Sequence, residues 1–368
     1  MNRIPVNDIR KALEAIIHPE SRKNIVELGL VKEIVSDNEG ISVTIDSPRP
    51  NDPFISSLKS VVVRALKDAF GPDTIVRDVK VPPKVTEKPS EKKPEIVLDD
   101  VKNIIAVASG KGGVGKSTVA VNLSIALAMN GYATGLLDAD IFGPSIPLMF
   151  NALDFRPEVI KNGDASVVLP LERYGVRVLS TGFFVDPDDA VVWRGPMASN
   201  FLKQMLTMAE WGELDYLIID LPPGTSDIHL SLVQEVAVTG AIIVSTPQQV
   251  ALADAVKGIA MFRNEKIDVP VIGLVENMSW FTPEELPGNR YYIFGREGCK
   301  ALSEKTGIPL LGQIPIVQGI RESGDSGRPA VLDNTPVAEA FRNLAEKVAE
   351  QVAIRNRDLG PTKRVNIN

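Results

Sequence analysis

Nine residues, Gly110-Lys111-Gly112-Gly113-Val114-Gly115-Lys116-Ser117-Thr118, constrain this chain more tightly than any other segment. Gly110 and Gly115 bracket four residues and are followed by Lys116-Ser117, the spacing of a loop that cradles phosphate. The apolar run Ile104 to Ala108 reads as a strand entering the loop, and Val119 to Ala128, rich in Ala, Leu and Val, as the helix leaving it. In that setting glycines let backbone N–H groups converge on polyphosphate, and the helix N-terminus adds partial positive charge. Lys116 is expected to reach the β- and γ-phosphates and the Ser117 hydroxyl to ligate Mg²⁺. Gly112, Gly113, Val114 and Thr118 complete the cradle. A nucleoside-triphosphate site is the expectation.

The rest of the chain must build a sheet around that loop. Candidate strands are Ile104–Ala108, Thr134–Leu137, Val176–Ser180, Tyr216–Ile219, Ala241–Ser245, Val271–Val275 and Leu310–Gln313, with helical patterns between most of them. Their Val/Ile/Leu runs are continuous rather than alternating, as a sheet buried on both faces requires. The fold class predicted is α/β: a doubly wound, mainly parallel sheet with its ligand at the carboxyl ends of the strands, preceded by a small α+β domain.

A linker rich in Pro, Lys and Glu, residues 83–97, separates a small domain at 1–82 from the NTPase domain at 98–357, with a tail at 358–368. The small domain reads helix, strand, strand, helix, strand, its strands at Leu30–Val35, Gly40–Ile45 and Ile75–Val81. His18 sits in a helix-ending Ile-His-Pro and reads as a surface residue. The helix from Val337 to about Arg355 places Val337, Phe341, Leu344, Val348 and Val352 on one stripe. Its narrow apolar side without tryptophan favours docking on the core over lying on a membrane.

Composition narrows the partners. A formal charge of −7 and a pI near 5.2 offer no electrostatic footprint for nucleic acid. Met1 to Ile17 has no apolar signal-peptide core, and no apolar stretch reaches the ~18–20 residues needed to span a bilayer. The single cysteine, Cys299, excludes an intrachain disulfide framework. The expectation is a cytoplasmic protein without membrane or nucleic-acid partners.

Two further strand ends carry acids. Leu217-Ile218-Ile219-Asp220 ends in a carboxylate where an acid can hold a water on Mg²⁺. Pro222-Pro223-Gly224-Thr225 follows, and the Gly224 N–H can face a γ-phosphate and move when it leaves. Leu136-Leu137-Asp138-Ala139-Asp140 ends in two more acids: Asp140 to orient the attacking water or bind the metal's water shell, Asp138 to support it. Taken singly, each Asp also reads as a helix cap or a solvated loop residue.

Lys111, a second lysine inside the loop, reads from the residues alone as either solvated or phosphate-directed. The Lys-Gly-Gly pattern resembles the deviant-loop ATPases of the nitrogenase iron protein, MinD and ParA class, in which this lysine reaches the partner subunit's nucleotide. The resemblance implies an ATP-clamped homodimer with Lys111, Lys116, Asp140 and Asp220 as catalytic groups and Asn277 against adenine. Asp138-Ala139-Asp140-Ile141-Phe142-Gly143-Pro144-Ser145, Trp193-Arg194-Gly195-Pro196-Met197, Asp220-Leu221-Pro222-Pro223-Gly224-Thr225-Ser226-Asp227, Glu276-Asn277-Met278-Ser279 and Ile320 to Pro329 resemble the Mrp (ApbC) family across 98–350. The small domain resembles the iron–sulfur-assembly domain often fused ahead of it. That resemblance implies a cytosolic, Mg²⁺-dependent ATPase that transfers iron–sulfur clusters to apoprotein clients.

The chain departs from its resemblance at the cluster. The family usually carries Cys-x-x-Cys shortly after the Glu-Asn-Met segment, whereas Ser279 to Gly295 has no cysteine, and neither has the turn Asp46 to Pro53. Cys299 remains either a packed helix residue or the one candidate cluster ligand. The alternatives to a carrier are an ATP-gated scaffold without a cluster and a positioning switch of the MinD and ParA kind. Arg194 and Arg321 read as functional contacts or as structural ion-pair members.

Overall fold

Alternating and continuous burial separate two kinds of strand. In a computed structural model the described residues are 4–17, 23–37, 40–45, 53–72, 74–80, 98, 100–162, 165–185, 195–224, 229, 236–265, 267–283, 285–286 and 288–360. His18, Arg194, Thr225 to Asp227 and the linker at 83–97 lie outside them, as does the turn 46–52. The chain divides into two compact units, Met1–Pro94 and Glu95–Asn368.

The first unit has the half-buried kind. Helix α1 (Val6–Leu13) is followed by β1 (Val31–Asp37), β2 (Gly40–Ile45), α2 (Pro53–Phe70) and β3 (Val76–Lys80), the element order the sequence predicts. β2 buries Ile41, Val43 and Ile45 at every second position, the period of a sheet covered on one side. β1 pairs antiparallel with β2, and β2 parallel with β3. Ile9 and Leu13 of α1 and Leu58, Val62 and Leu66 of α2 close this core.

The second unit has the fully buried kind. It begins with β4 (Val101–Ala108), α3 (Lys116–Met129), β5 (Thr134–Asp138) and a short α4 (Ile146–Met149). Next come β6 (Val159–Asn162), β7 (Ala165–Val168), β8 (Leu171–Arg173), β9 (Val176–Ser180), α5 (Gly195–Met208), β10 (Leu214–Asp220), β11 (Gly240–Ser245) and α6 (Gln249–Phe262). β12 (Val271–Phe281), α7 (Gly298–Thr306), β13 (Leu310–Ile316), α8 (Gln318–Asp325) and α9 (Pro336–Leu359) complete it. The eight-stranded sheet runs β13-β12-β11-β4-β10-β5-β9-β8. Every neighbouring pair is parallel except β8 with β9.

All seven strands expected here form, Val176–Ser180 with the bounds expected and the other six longer, and the sheet is the doubly wound kind. The β6–β7 pair and β8, four, four and three residues long, have no counterpart in the apolar-run reading, because runs so short leave no period to read. β12 runs six residues past Val275 because its polar continuation is satisfied inside the protein. α3 is apolar on every side and is accordingly buried from Val119 through Leu127.

The stripe of α9 is buried at Val337, Phe341, Leu344, Val348 and Val352, and the helix packs on α3 and β13. Its start is set by Pro336 and by Thr335, whose side chain accepts from Ala338 N at 3.2 Å. It ends at Leu359, two residues into the expected tail. Among the described residues no helix is long and apolar enough to cross a membrane.

Candidate functional site

Strand order explains why the predicted residues meet. β10 lies between β4 and β5, and the parallel register puts Asp220 beside both Val107 and Asp138. The phosphate loop leaves the carboxyl end of β4, so loop, Asp220 and Asp138 share one end of the sheet. Two glycines are required there by geometry. A side chain on Gly110 would strike the backbone of Asp254 and Ala255 in α6. Gly115, the N-cap of α3, has φ 80°, and a Cβ there would collide with the Asn277 amide. The loop is closed on itself by Ser109 Oγ, which donates to Lys111 O at 2.9 Å. Lys111 is half-buried.

Lys116 is the electrostatic centre. Its ammonium, 6 % exposed, donates to Asp220 Oδ1 at 2.6 Å, lies 3.3 Å from Ser117 Oγ and stands 4.0 Å from Asp140 Oδ2. Asp220 and Asp138 are fully buried, whereas Asp140 keeps 14 % of its side chain exposed. Burial raises the Asp220 and Asp140 carboxyls above the ordinary range, and the Lys116 charge opposes that rise in both. Two buried carboxylate oxygens, Asp140 Oδ1 and Asp220 Oδ2, have no hydrogen-bond partner. Unpartnered anionic oxygens beside a serine hydroxyl suit Mg²⁺, which keeps few protein ligands and takes the rest from water and phosphate.

Asp138 differs in kind. Burial and the neighbouring Asp220 push it up to about 8. Its Oδ1 accepts from Asp140 N at 3.1 Å and its Oδ2 from Ser180 Oγ at 2.7 Å. Ser180 Oγ in turn accepts from Gly182 N at 3.0 Å, and Thr181 Oγ1 donates to Asp140 O at 3.4 Å. Asp138 is thus a clamp on the backbone that carries Asp140. The sequence reading missed Ser180 and Thr181. The available signal was that Ser180 ends another apolar strand, one place beyond β5.

Gly224 N donates to Ser109 O at 2.9 Å, which ties the turn after β10 to the phosphate loop.

Comparison with known proteins places this geometry. NUBPL iron-transfer P-loop NTPases match residues 100–349, and the iron–sulfur cluster assembly protein family matches 7–77. The chain belongs to the NUBPL iron-transfer P-loop NTPase family. An iron-sulfur cluster carrier protein of Synechocystis is 40 % identical over 346 residues, 93 % of this chain and 96 % of that protein. The iron-sulfur cluster transfer protein NUBPL of Dictyostelium discoideum is 45 % identical across 72 % of this chain and 81 % of its own. Among solved structures, the nucleotide-binding protein of Archaeoglobus fulgidus in complex with ADP is 38 % identical, with TM-score 0.55 over 64 % of this chain and 91 % of that one. The septum site-determining protein MinD of Pyrococcus horikoshii, complexed with Mg-ADP, is 26 % identical, with TM-score 0.50 over 69 % and 98 %.

In this NUBPL-family NTPase, β12 joins the phosphate loop to the segment where a cluster site is expected. Asn277 Nδ2 donates to Val114 O at 2.8 Å, so this side chain props the loop. Its neighbour Glu276 is fully buried and faces other partners: Oε2 accepts from Cys299 N at 2.7 Å and Oε1 from Gln313 Nε2 at 2.8 Å. A carboxylate at the start of α7 is where the helix dipole favours it. Between them and the surface Met278 takes φ 56°, and the register with β13 shifts between Asn277 and Phe281.

Cys299 is 1 % exposed in the first turn of α7, and burial with nearby Glu276 pushes its thiol up to about 12. The structure therefore places it as a packed helix residue. Arg321 makes exposed ion pairs with Glu322 and Asp325, both at 3.1 Å, as a structural ion-pair member does.

Proposed function

We propose that this chain is a Mg²⁺-dependent ATPase whose homodimer carries iron–sulfur clusters to apoproteins in the cytoplasm. The observation that carries the nucleotide half is the buried Lys116 ammonium set among Ser117, Asp140 and Asp220 at the mouth of a phosphate loop. The loop from Gly110 to Thr118 cradles the triphosphate, and Lys116 exchanges its carboxylate partner for the terminal phosphates. A magnesium ion held by Ser117 and Asp220, with Asp140 on its water shell, supplies neutralising charge when bound. Asp140, the only acid of the three with solvent access, orients the attacking water, and the Asp138–Ser180 pair holds it in place.

Lys111 reaches the phosphates bound by the partner subunit and Asn277 borders the base. The Gly224 N–H leaves Ser109 O for the γ-phosphate, so loss of that phosphate resets the turn. The cluster half is supported by a relative that covers 93 % of the chain and is named an iron-sulfur cluster carrier protein.

Titration calorimetry with ATP and Mg²⁺ tests the nucleotide half, and light scattering with a non-cleavable analogue tests the dimer. We expect binding that Lys116→Ala abolishes and dimerisation that Lys111→Ala abolishes. A chain that ignores adenine nucleotides would end this reading.

A further inference from the structure

We propose that this chain carries its clusters on thiolates supplied in trans, by a low-molecular-weight thiol or by cysteines of a second protein. This rests on the carrier reading above and concerns who owns the ligands.

An iron–sulfur cluster takes about four thiolates, with histidine as an occasional substitute. The whole sequence holds one cysteine and two histidines, so a homodimer brings two thiols in total. Neither is offered to a ligand. Cys299 is 1 % exposed, its backbone N–H is engaged by buried Glu276, and its thiol is held protonated far above neutrality. Buried thiols of that kind are inert toward metal and oxidant. Of the two imidazoles, His229 is fully buried. Among the described residues no group of three or more His, Cys, Asp or Glu side chains is arranged to hold a metal ion.

The end of β12 and the described residues beyond it make other contacts. Phe281 and Tyr291 exchange backbone hydrogen bonds at 2.8 Å in both directions. The Arg290 guanidinium lies 4.2 Å over the Trp280 ring, and that of Arg296 lies 4.9 Å over Tyr292. A surface of aromatic rings and guanidinium groups recognises an anionic thiolate complex more readily than it ligates iron. Delivery is then ligand exchange: client thiolates replace the incoming ones on iron one for one, and no electron enters or leaves the cluster.

The test is anaerobic loading with iron and sulfide in the presence of Mg²⁺ and ATP, followed by affinity capture of this chain, washing away of unbound thiol and unbound donor protein, and measurement of cluster absorbance and iron on the captured fraction. One arm contains a phosphine as sole reductant, a second adds glutathione, and a third supplies a protein bearing a cluster on accessible cysteines. Each is run on the wild type and on Cys299→Ala, with Cys299→Ser as a second variant should the alanine fail to fold. We expect cluster retention in the second or third arm, none in the first, and no change in the variants; which arm succeeds identifies the source. Cluster retained in the thiol-free arm overturns the proposal, most directly if the variants lose it. No cluster in any arm, with ATP still hydrolysed, overturns both this proposal and the carrier reading while leaving the ATPase intact.

Discussion

Lys116 Nζ lies 2.6 Å from Asp220 Oδ1, although a lysine at this place in a phosphate loop is there for phosphate. The ammonium thus has two competing anionic partners, one internal and one brought by nucleotide. Removing it strands three buried or half-buried acids together. Breaking a buried pair at one partner costs about 3–5 kcal/mol, part of which protonation of the acids recovers. Lys116→Ala should therefore lower the melting temperature in the absence of nucleotide as well as abolish hydrolysis. Asp220→Asn keeps a hydrogen-bond acceptor for the ammonium and relieves the crowding of acids. It should melt close to wild type while losing turnover by about 100-fold or more. Thermal melts beside a phosphate-release assay separate the two.

Ser180 makes a subtler demand. It touches neither loop nor phosphate, yet it fixes Asp138, which holds the backbone N–H of Asp140. Ser180→Ala should reduce kcat by roughly 10- to 100-fold, the usual cost of misplacing a catalytic group, and leave ATP affinity alone. Ser180→Thr, which keeps the hydroxyl, should recover part of the loss. An equal fall in affinity and turnover would show Ser180 to be merely structural.

Gly110 is tied to α6 by close approach rather than by backbone conformation. A methyl group there meets main chain of Asp254 and Ala255, which cannot rotate away as a side chain can. Overpacking of this sort costs about 1–3 kcal/mol, and the strain falls on the loop itself. Gly110→Ala should weaken ATP binding at least tenfold by calorimetry. Gly112→Ala, where the nearest protein atom is a proline side chain at 3.9 Å, should melt nearly as the wild type does, which separates strain against α6 from a general effect of alanine in the loop.

The loop is legible in the sequence because its function is local: strand, glycines, lysine and helix follow one another in a single stretch. The acids at 138, 140 and 220 are legible as strand ends for the same reason. Their proximity is not, since it depends on β10 inserting between β4 and β5, and apolar runs carry no strand order. Ser180 was hidden by that same gap. β12 was cut short at Val275 because Glu276, Asn277 and Ser279 look like the end of a buried strand. They stay inside because each is satisfied, Glu276 by Cys299 N and Gln313, Asn277 by Val114 O, and Ser279 by Glu276 O at 2.8 Å. The β6–β7 pair, four residues each, is too short to leave a period.

Cys299 and Tyr216 give the fold an alkaline limit. Burial first, then Glu276, raises the thiol from an ordinary 9.0 to about 12. Burial first, then Tyr132 and Asp215, raises the phenol from 10.0 to about 12. For an acid whose folded value lies above its unfolded one, the native state prefers the protonated form. The stabilisation is complete below the unfolded value and disappears as pH climbs toward the folded one. Between pH 9 and 12 the unfolded chain ionises and the folded chain resists, so stability falls with rising pH, the thiol contributing on the order of 2–4 kcal/mol across that window. Thermal melts from pH 7.5 to 11 should show a falling midpoint from about pH 9 upward. Cys299→Ala should begin lower at pH 7.5, because it leaves a small cavity, and fall less steeply. A Cys299→Ala curve parallel to wild type through pH 11 would mean that the thiol reaches solvent, and the case for a cluster held on foreign thiolates would weaken with it.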